Sequence, residues 1–221
     1  MIEPIESPPA EPPASSGRGR RWPRVVAILV GALVVLGAVG FLATGAIQSR
    51  TFDQLVGATR TAEGAEVWKT FFIAQDCFID SVVEVADPDL AFNEGLALRE
   101  QTEFLARHVS TSLATFSDLS VLPFHRSLIA ARDSIVAHYR VWDGHLANAS
   151  AVLSGLDADP TALAIQFQAW VEVVVSDSEP IASTFADAET AFEMAARDDQ
   201  ARQAIANLFT PSEVECSRGA V

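Results

Sequence analysis

Residues 127–156 read SLIAARDSIVAHYRVWDGHLANASAVLSGL, and their large apolar residues recur every seven positions. In a helix of about 3.6 residues per turn, a repeat of seven keeps these side chains on one face. The pattern therefore predicts a long amphipathic helix that buries one side against neighbouring helices. The repeat consists of Leu128, Ile135, Trp142, Ala149 and Leu156, with Tyr139, Leu146 and Leu153 beside it.

Three further stretches, within residues 67–85, 98–116 and 163–192, also have apolar residues spaced three or four apart. Each predicts another amphipathic helix. A short additional helix is predicted at residues 199–209. We therefore expect an all-α fold, in which residues 63–221 form an up-and-down bundle of four main helices plus the short C-terminal one.

Aspartate–proline pairs stand where two of these helices should begin. In Asp87-Pro88 and Asp159-Pro160, the aspartate can accept hydrogen bonds from the first backbone N–H groups, and proline suits the first helical position. Pro180 falls inside the fourth predicted helix, where it removes a backbone donor. We expect that helix to kink or split at Pro180.

Residues 25–47 read VVAILVGALVVLGAVGFLATGAI, 23 residues without a charge. This length matches the roughly 20 residues that a transmembrane helix needs and exceeds the apolar run of a cleaved signal peptide. We therefore expect a retained signal-anchor, although small residues near its end leave cleavage open. Four arginines precede the run and Arg50 follows it. This bias predicts a single-pass protein of the cell membrane with a cytoplasmic N-terminus and an extracytoplasmic C-terminal domain.

One face of the predicted transmembrane helix carries small residues: Ala27, Gly31, Ala38 and Gly45. Small residues let two helices approach closely in a bilayer, so this face is a candidate packing seam for a second copy or a partner. The alternative is that glycine and alanine are simply frequent in such spans. The 14 arginines against a single lysine are typical of a GC-rich bacterial genome.

The flanks of the predicted span differ in composition. Residues 1–24 hold six of the eleven prolines and few apolar residues, so we expect a disordered cytoplasmic tail. Residues 48–62 are interpreted as a helical juxtamembrane linker. Residues 51–221 hold ten basic and 26 acidic groups. An acidic domain of this kind repels the phosphate backbone, so nucleic acid is not an expected partner.

The chain has two cysteines, Cys77 and Cys216. Outside the membrane such a pair should oxidise, and a bridge would tie the C-terminal tail to the first outer helix. Acidic neighbours on both sides, among them Asp76 and Glu215, argue against a reactive, low-pKa thiol. We therefore predict a structural disulfide.

Four residues of the helix in 127–156 form a candidate ligand-binding or pH-sensitive pocket: His138, Tyr139, Trp142 and His145. The two histidines are seven apart and so share a face, and imidazole is the side chain that titrates near neutral pH. The alternative is that both are core-edge histidines hydrogen-bonded to neighbouring helices. Their separation along the helix is too large for them to share one metal ion.

Recognised metal-binding, nucleotide-binding and nucleophile motifs are absent from the sequence. We therefore expect no cofactor and no enzymatic activity. The leading hypothesis is a binding or assembly module of the cell envelope, with a protein partner or self-association, tethered to the bilayer through residues 25–47. The alternative is a sensor domain for a small ligand or ion, and a third is an envelope enzyme.

Overall fold

Helices dominate the computed structural model of the chain, which describes residues 44, 46–58, 65–195 and 216. The described residues contain no β-strand, so the prediction of an all-α fold is confirmed. The chain divides into two compact units, Met1–Ile47 and Gln48–Val221. The second unit contains the helices α1 (residues 48–58), α2 (Ala65–Asp80), α3 (Pro88–Ser117), α4 (Arg126–Leu153) and α5 (Pro160–Ala195).

Consecutive long helices are each other's main neighbours, because α2 packs on α3, α3 on α4 and α4 on α5. Short connections produce this arrangement, since they leave successive helices beside one another. Aromatic pairs also connect α2 to α4 and α5. Trp68 packs edge-on against Trp142 of α4, and Phe78 packs edge-on against Trp170 of α5. The predicted helical bundle is therefore observed.

The seven-residue repeat of α4 lies in the core, as its spacing predicts. Leu128, Ile135, Trp142 and Ala149 are buried, and Leu156 follows the helix half-buried. Four apolar residues of α3 are fully buried on the face that packs into the bundle: Leu98, Leu105, Val109 and Phe116. Full burial of a large apolar side chain contributes about 1.5–3 kcal/mol, so these repeats are the main source of the bundle's stability.

The two predicted N-caps are confirmed. Asp87 Oδ1 accepts hydrogen bonds from the N–H groups of Asp89 and Leu90 at 3.0 and 3.2 Å. Asp159 Oδ1 accepts from Thr161 and Ala162, both at 3.0 Å. Each cap satisfies backbone donors that have no partner within the first helical turn.

The expectation at Pro180 is wrong in one respect, because α5 does not split there but runs unbroken from Pro160 to Ala195. A proline inside a helix removes one backbone hydrogen bond at a cost of about 3 kcal/mol. Apolar residues on both sides of Pro180, including Val174 and Ile181, pack against the core. This packing holds both halves of α5 in place.

Among the described residues, no helix combines the length and the hydropathy that a membrane span requires. The predicted span, residues 25–47, lies outside the described residues apart from positions 44, 46 and 47. The candidate packing face Ala27, Gly31, Ala38 and Gly45 lies wholly outside them, as do the tail 1–24 and the short helix at 199–209. These features stay predictions.

Candidate functional site

The predicted disulfide is present between Cys77 of α2 and Cys216. The two Cα atoms lie 4.9 Å apart, and the bridge spans 139 positions of sequence. The backbone N–H of Cys216 also donates a hydrogen bond of 2.7 Å to Asp76 Oδ2. The C-terminal tail is thus attached to α2 by a covalent bond and a hydrogen bond at adjacent residues.

His138 lies inside the bundle at 1 % exposure, facing α5. The hydroxyl of Thr184 donates its one hydrogen to the carbonyl oxygen of Pro180 at 2.7 Å. His138 Nδ1 lies 2.9 Å from the same hydroxyl oxygen. Nδ1 must therefore carry the hydrogen of this contact and donate it, which leaves the lone pair of the neutral ring on Nε2.

Burial also determines the charge of His138. Its removal from solvent lowers the pKa from 6.5 to about 4, because burial deprives the charged imidazolium of its hydration. The ring is therefore neutral at pH 7.

His145, two turns further along α4, is also buried and is paired with a carboxylate. Its Nδ1 donates to Asp177 Oδ2 of α5 at 3.0 Å. Burial by itself would raise the pKa of Asp177, but hydrogen bonds from His145, Ser176 and Asn148 and the attraction of His145 outweigh it, so the pKa is lowered. Asp177 is therefore ionised at neutral pH and orients the His145 ring.

A cavity of about 310 Å³ lies where α2, α4 and α5 meet, and both histidines line it. Its wall is mainly apolar and aromatic, with a few polar groups, which is typical of sites for small molecules. Its volume is at the lower end of the range for such sites. The described residues that line it are Phe72, Gln75, His138, Trp142, His145, Val174, Ser178, Ile181, Ala182 and Phe185.

Trp142 lies between the two histidines in this wall and is 6 % exposed. Its ring packs edge-on against Trp68, with centroids 4.9 Å apart, and against His145 at 5.4 Å. The buried Nε1–H has no hydrogen-bond partner among the described residues. Leaving a buried donor unsatisfied costs about 1–3 kcal/mol, so this atom is the one feature of the ring that core packing does not explain.

The structure brings three of the four predicted pocket residues together and separates the fourth. His138, Trp142 and His145 line the cavity, whereas Tyr139 does not. Tyr139 is fully buried and its ring lies 5.4 Å from that of Phe116 on α3. Burial raises the pKa of Tyr139, and a hydrogen bond with Ser112 opposes this rise only in part. Tyr139 is a core residue of the α3–α4 contact.

The predicted pocket residues all belong to α4. They do not include the cavity residues on α2 and α5, nor the partners Asp177 and Thr184. For Asp177, the sequence does contain an indication of its role. The polar run Asp177-Ser178-Glu179 interrupts an otherwise apolar helix pattern directly before Pro180, but such residues are also typical of a helix cap. In the continuous helix, Asp177 instead pairs with His145, and Ser178 lines the cavity.

A second concavity of about 470 Å³ lies between α2 and α3. Its wall includes exposed charged groups such as Glu66 and Glu100, and the guanidinium of Arg107 lies 5.6 Å from the ring centroid of Phe104. Exposed charged groups of this kind remain hydrated. A ligand in this groove would therefore make fewer contacts that are shielded from water than a ligand in the histidine-lined cavity.

Within the described residues, no group of three or more histidine, cysteine, aspartate or glutamate side chains is placed to hold a metal ion. The chain matches no protein-family model, no curated protein and no solved structure. Functional inference therefore depends on the geometry of the site itself.

Proposed function

We propose that the helical domain is a non-catalytic binding module that holds a small molecule in the cavity between α2, α4 and α5. The observation that supports this is the cavity itself, a mainly apolar space of about 310 Å³ that is lined by Trp142 and by two imidazoles oriented through hydrogen bonds to α5. An apolar cavity of about 150 Å³ already binds benzene, so this one accommodates a molecule of one or two rings.

This proposal favours the ligand-sensor alternative over the assembly hypothesis, since the cavity supplies a site for the former. An assembly role, with a protein partner or a second copy, stays a prediction, as does the third alternative of an envelope enzyme. Hydrogen bonds to α5 position both buried histidines. A ligand in contact with these rings would therefore lie directly against the α4–α5 interface. Through such a contact, binding can shift the equilibrium between two arrangements of the helices.

The same proposal includes the predicted location, a domain tethered outside the cytoplasm by residues 25–47. The arginine-flanked apolar run supports it, and a disulfide between Cys77 and Cys216 is compatible with an oxidising compartment. In intact cells, engineered cysteines at Ser117 and Ser154 should react with an impermeant thiol reagent, and one at Ser7 only after permeabilisation. Labelling of Ser154 only from the cytoplasm would contradict the orientation.

Retention of the anchor has a separate test. Mass spectrometry of the protein from its native membrane should find the N-terminal segment intact. A first residue near position 46 or 47 would show that the apolar run is a cleaved signal and that the domain is released.

Ligand binding is tested by filling the cavity. Ala182 lines it and is exposed, so Ala182→Phe places a ring at its mouth without disturbing the core. Coumarin, 2-naphthol and 1-indanone, added to the full chain in detergent micelles, should raise the unfolding temperature saturably if they bind. Ala182→Phe should abolish the rise.

The matched control is Ala151→Phe, an equally exposed alanine near the end of α4 and outside the cavity lining. It should respond to the compounds as the wild type does. If none of the three compounds shifts the wild type, or if the shift persists in Ala182→Phe, the cavity is not the binding site.

A further inference from the structure

The charged groups around the cavity between α2, α4 and α5 determine which ligand charge it favours, on the premise of the proposed function that the cavity is a binding site. None of the described residues that line it is an arginine or a lysine. The sequence has neither residue type within 70–98 or 141–196. Lys69 and Arg140, which adjoin these stretches, are exposed, and Arg140 lies about 200° around α4 from His138. The surroundings of the cavity therefore offer an anionic ligand little positive charge.

Asp177 supplies a negative charge close to the same lining. Its Oδ2 accepts the hydrogen bond of His145 Nδ1 at 3.0 Å, and His145 lines the cavity. An imidazole ring is about 2 Å across and a van der Waals contact extends to about 4 Å. A ligand atom that touches the His145 ring therefore lies within about 9 Å of the carboxylate oxygen.

The ionisation of Asp177 is maintained by its partners. Burial by itself would raise the pKa of this carboxyl, but the hydrogen bonds and the attraction of His145, with hydrogen bonds from Ser176 and Asn148, lower it. Opposite unit charges about 9 Å apart strengthen binding by about twofold in a medium like water and by about twentyfold near a protein surface. The Asp177 side chain is 23 % exposed, so we expect an effect between these limits.

The kind of cation is limited by the apolar wall. A primary ammonium group would lose its hydrogen bonds to water and find few acceptors in the cavity, whereas a quaternary ammonium group has no N–H to satisfy. Aromatic side chains also border the sites at which proteins bind quaternary ammonium groups. Phe72, Trp142 and Phe185 line this cavity. His138 is neutral at pH 7 and does not repel a cation.

We propose that the cavity selects a weakly hydrated organic cation of the quaternary ammonium class with an apolar body of about one ring, and that the carboxylate of Asp177 provides the preference for positive charge. The apolar body packs among Phe72, Trp142 and Phe185. The charged group lies on the His145 side of the cavity, where the carboxylate is closest. A neutral molecule of the same shape packs equally well but lacks the attraction to Asp177.

The test compares 4-tert-butylbenzyl alcohol with 4-(hydroxymethyl)-N,N,N-trimethylanilinium, in which a positively charged nitrogen replaces the central carbon of the tert-butyl group. Each is titrated into the full chain in nonionic detergent micelles at about pH 8, above the ordinary pKa of imidazole. The tryptophan indole ¹⁵N–¹H signals report binding, and partition into micelles is measured without protein and subtracted. The wild type should bind the cation about fivefold more tightly than the alcohol.

Asp177→Asn should remove this preference, because asparagine can still accept the hydrogen bond of His145 but has no charge. The matched control is Asp187→Asn, an exposed aspartate ten positions further along α5. That distance is about 15 Å along the helix, more than the Debye length of about 10 Å at about 0.1 M salt. Asp187→Asn should therefore keep the wild-type preference.

The same preference in the wild type and Asp177→Asn overturns the inference, as does equal binding of the two compounds to the wild type. If neither compound binds the wild type, or if Ala182→Phe binds both unchanged, the proposed function itself fails. If Asp177→Asn does not fold, Ser178→Lys replaces it, since Ser178 lines the cavity and is exposed. Ser178→Lys should weaken binding of the cation about fivefold and leave the alcohol unchanged, and an equal effect on both compounds overturns the inference.

Discussion

Cys216 is bonded to Cys77 across 139 positions of sequence, and its backbone N–H donates to the adjacent Asp76 at 2.7 Å. The bridge therefore joins the C-terminal tail to α2, a helix that also contributes Phe72 and Gln75 to the cavity. Closing so long a loop mainly restricts the unfolded chain. The bond should stabilise the domain without specifying its helices.

Replacing Cys77 by serine should lower the free energy of unfolding by roughly 3–5 kcal/mol, because the unfolded chain regains the entropy that the closed loop removes. The far-UV circular dichroism of the folded protein should remain nearly unchanged, since apolar repeats and caps specify the helices. Urea unfolding of the full chain measures the first effect.

The control for this experiment is Cys77→Ser combined with Cys216→Ser. The double variant should be no less stable than either single variant, because one bond accounts for both losses. Clearly additive losses, or free thiols in protein isolated from its native membrane, would contradict a structural disulfide.

The stability of the domain should decrease as the pH falls from about 6.5 to about 4, in part because of His138. Its pKa is about 4 in the folded protein, whereas in the unfolded chain it has the ordinary value of 6.5. The unfolded chain therefore binds the proton more readily throughout this interval, so acid favours unfolding. The stability that comes from burying neutral His138 is fully present above pH 6.5 and is lost as the pH falls through the folded pKa.

His138→Asn isolates this effect, because asparagine can keep an N–H donor towards Thr184 but does not titrate. Between pH 7 and pH 4.5, unfolding free energies from urea titrations should fall less in the variant, by roughly 2–3 kcal/mol. The lowered pKa of Asp177 acts at more acidic pH and is common to both proteins. Parallel pH profiles for the two proteins would be evidence against a neutral, buried His138.

Loss of either helix cap should destabilise the domain by a similar amount. Asp87→Ala and Asp159→Ala each remove an acceptor of two backbone N–H groups, and each should lower the free energy of unfolding by about 1 kcal/mol. Asp187, an exposed aspartate within α5, is the control. Its replacement by alanine should change the free energy by less than about 0.5 kcal/mol, and an equal effect at all three positions would show that charge, not capping, is responsible.

Two helical glycines should respond differently to alanine. Nothing lies within 4 Å of a Cβ built on the exposed Gly144, so Gly144→Ala should stabilise the domain by about 0.5–1 kcal/mol through helix propensity. A Cβ on the buried Gly95 would lie 3.0 Å from both Phe78 Cε2 and Leu156 Cδ1.

Phe78 is fully buried and has little room to move, so Gly95→Ala should be less stable than Gly144→Ala by more than about 1 kcal/mol. Thermal or urea unfolding of both variants measures the difference. Equal stabilisation at the two sites would show that the α2–α3 contact is looser than these distances indicate.

Local pattern determined the helices, their two capped starts and the all-α class. Each depends on residues within about four positions of one another, such as Asp87 and the N–H groups that follow it. The disulfide was also predictable, because the chain offers only Cys77 and Cys216. Burial of the seven-residue repeat of α4 follows in the same way, since the spacing alone puts those side chains on one face.

Only the tertiary structure decided what lies opposite that face. His138 and Tyr139 are adjacent in sequence, but a helix turns about 100° per residue, so one faces Thr184 on α5 and the other Phe116 on α3. The packing of helices far apart in sequence decided three features: the partners Asp177 and Thr184, the α2 wall of the cavity, and the continuity of α5 through Pro180. Short-range periodicity carries no information about that packing, because it defines which side of a helix is buried but not which side chains meet it.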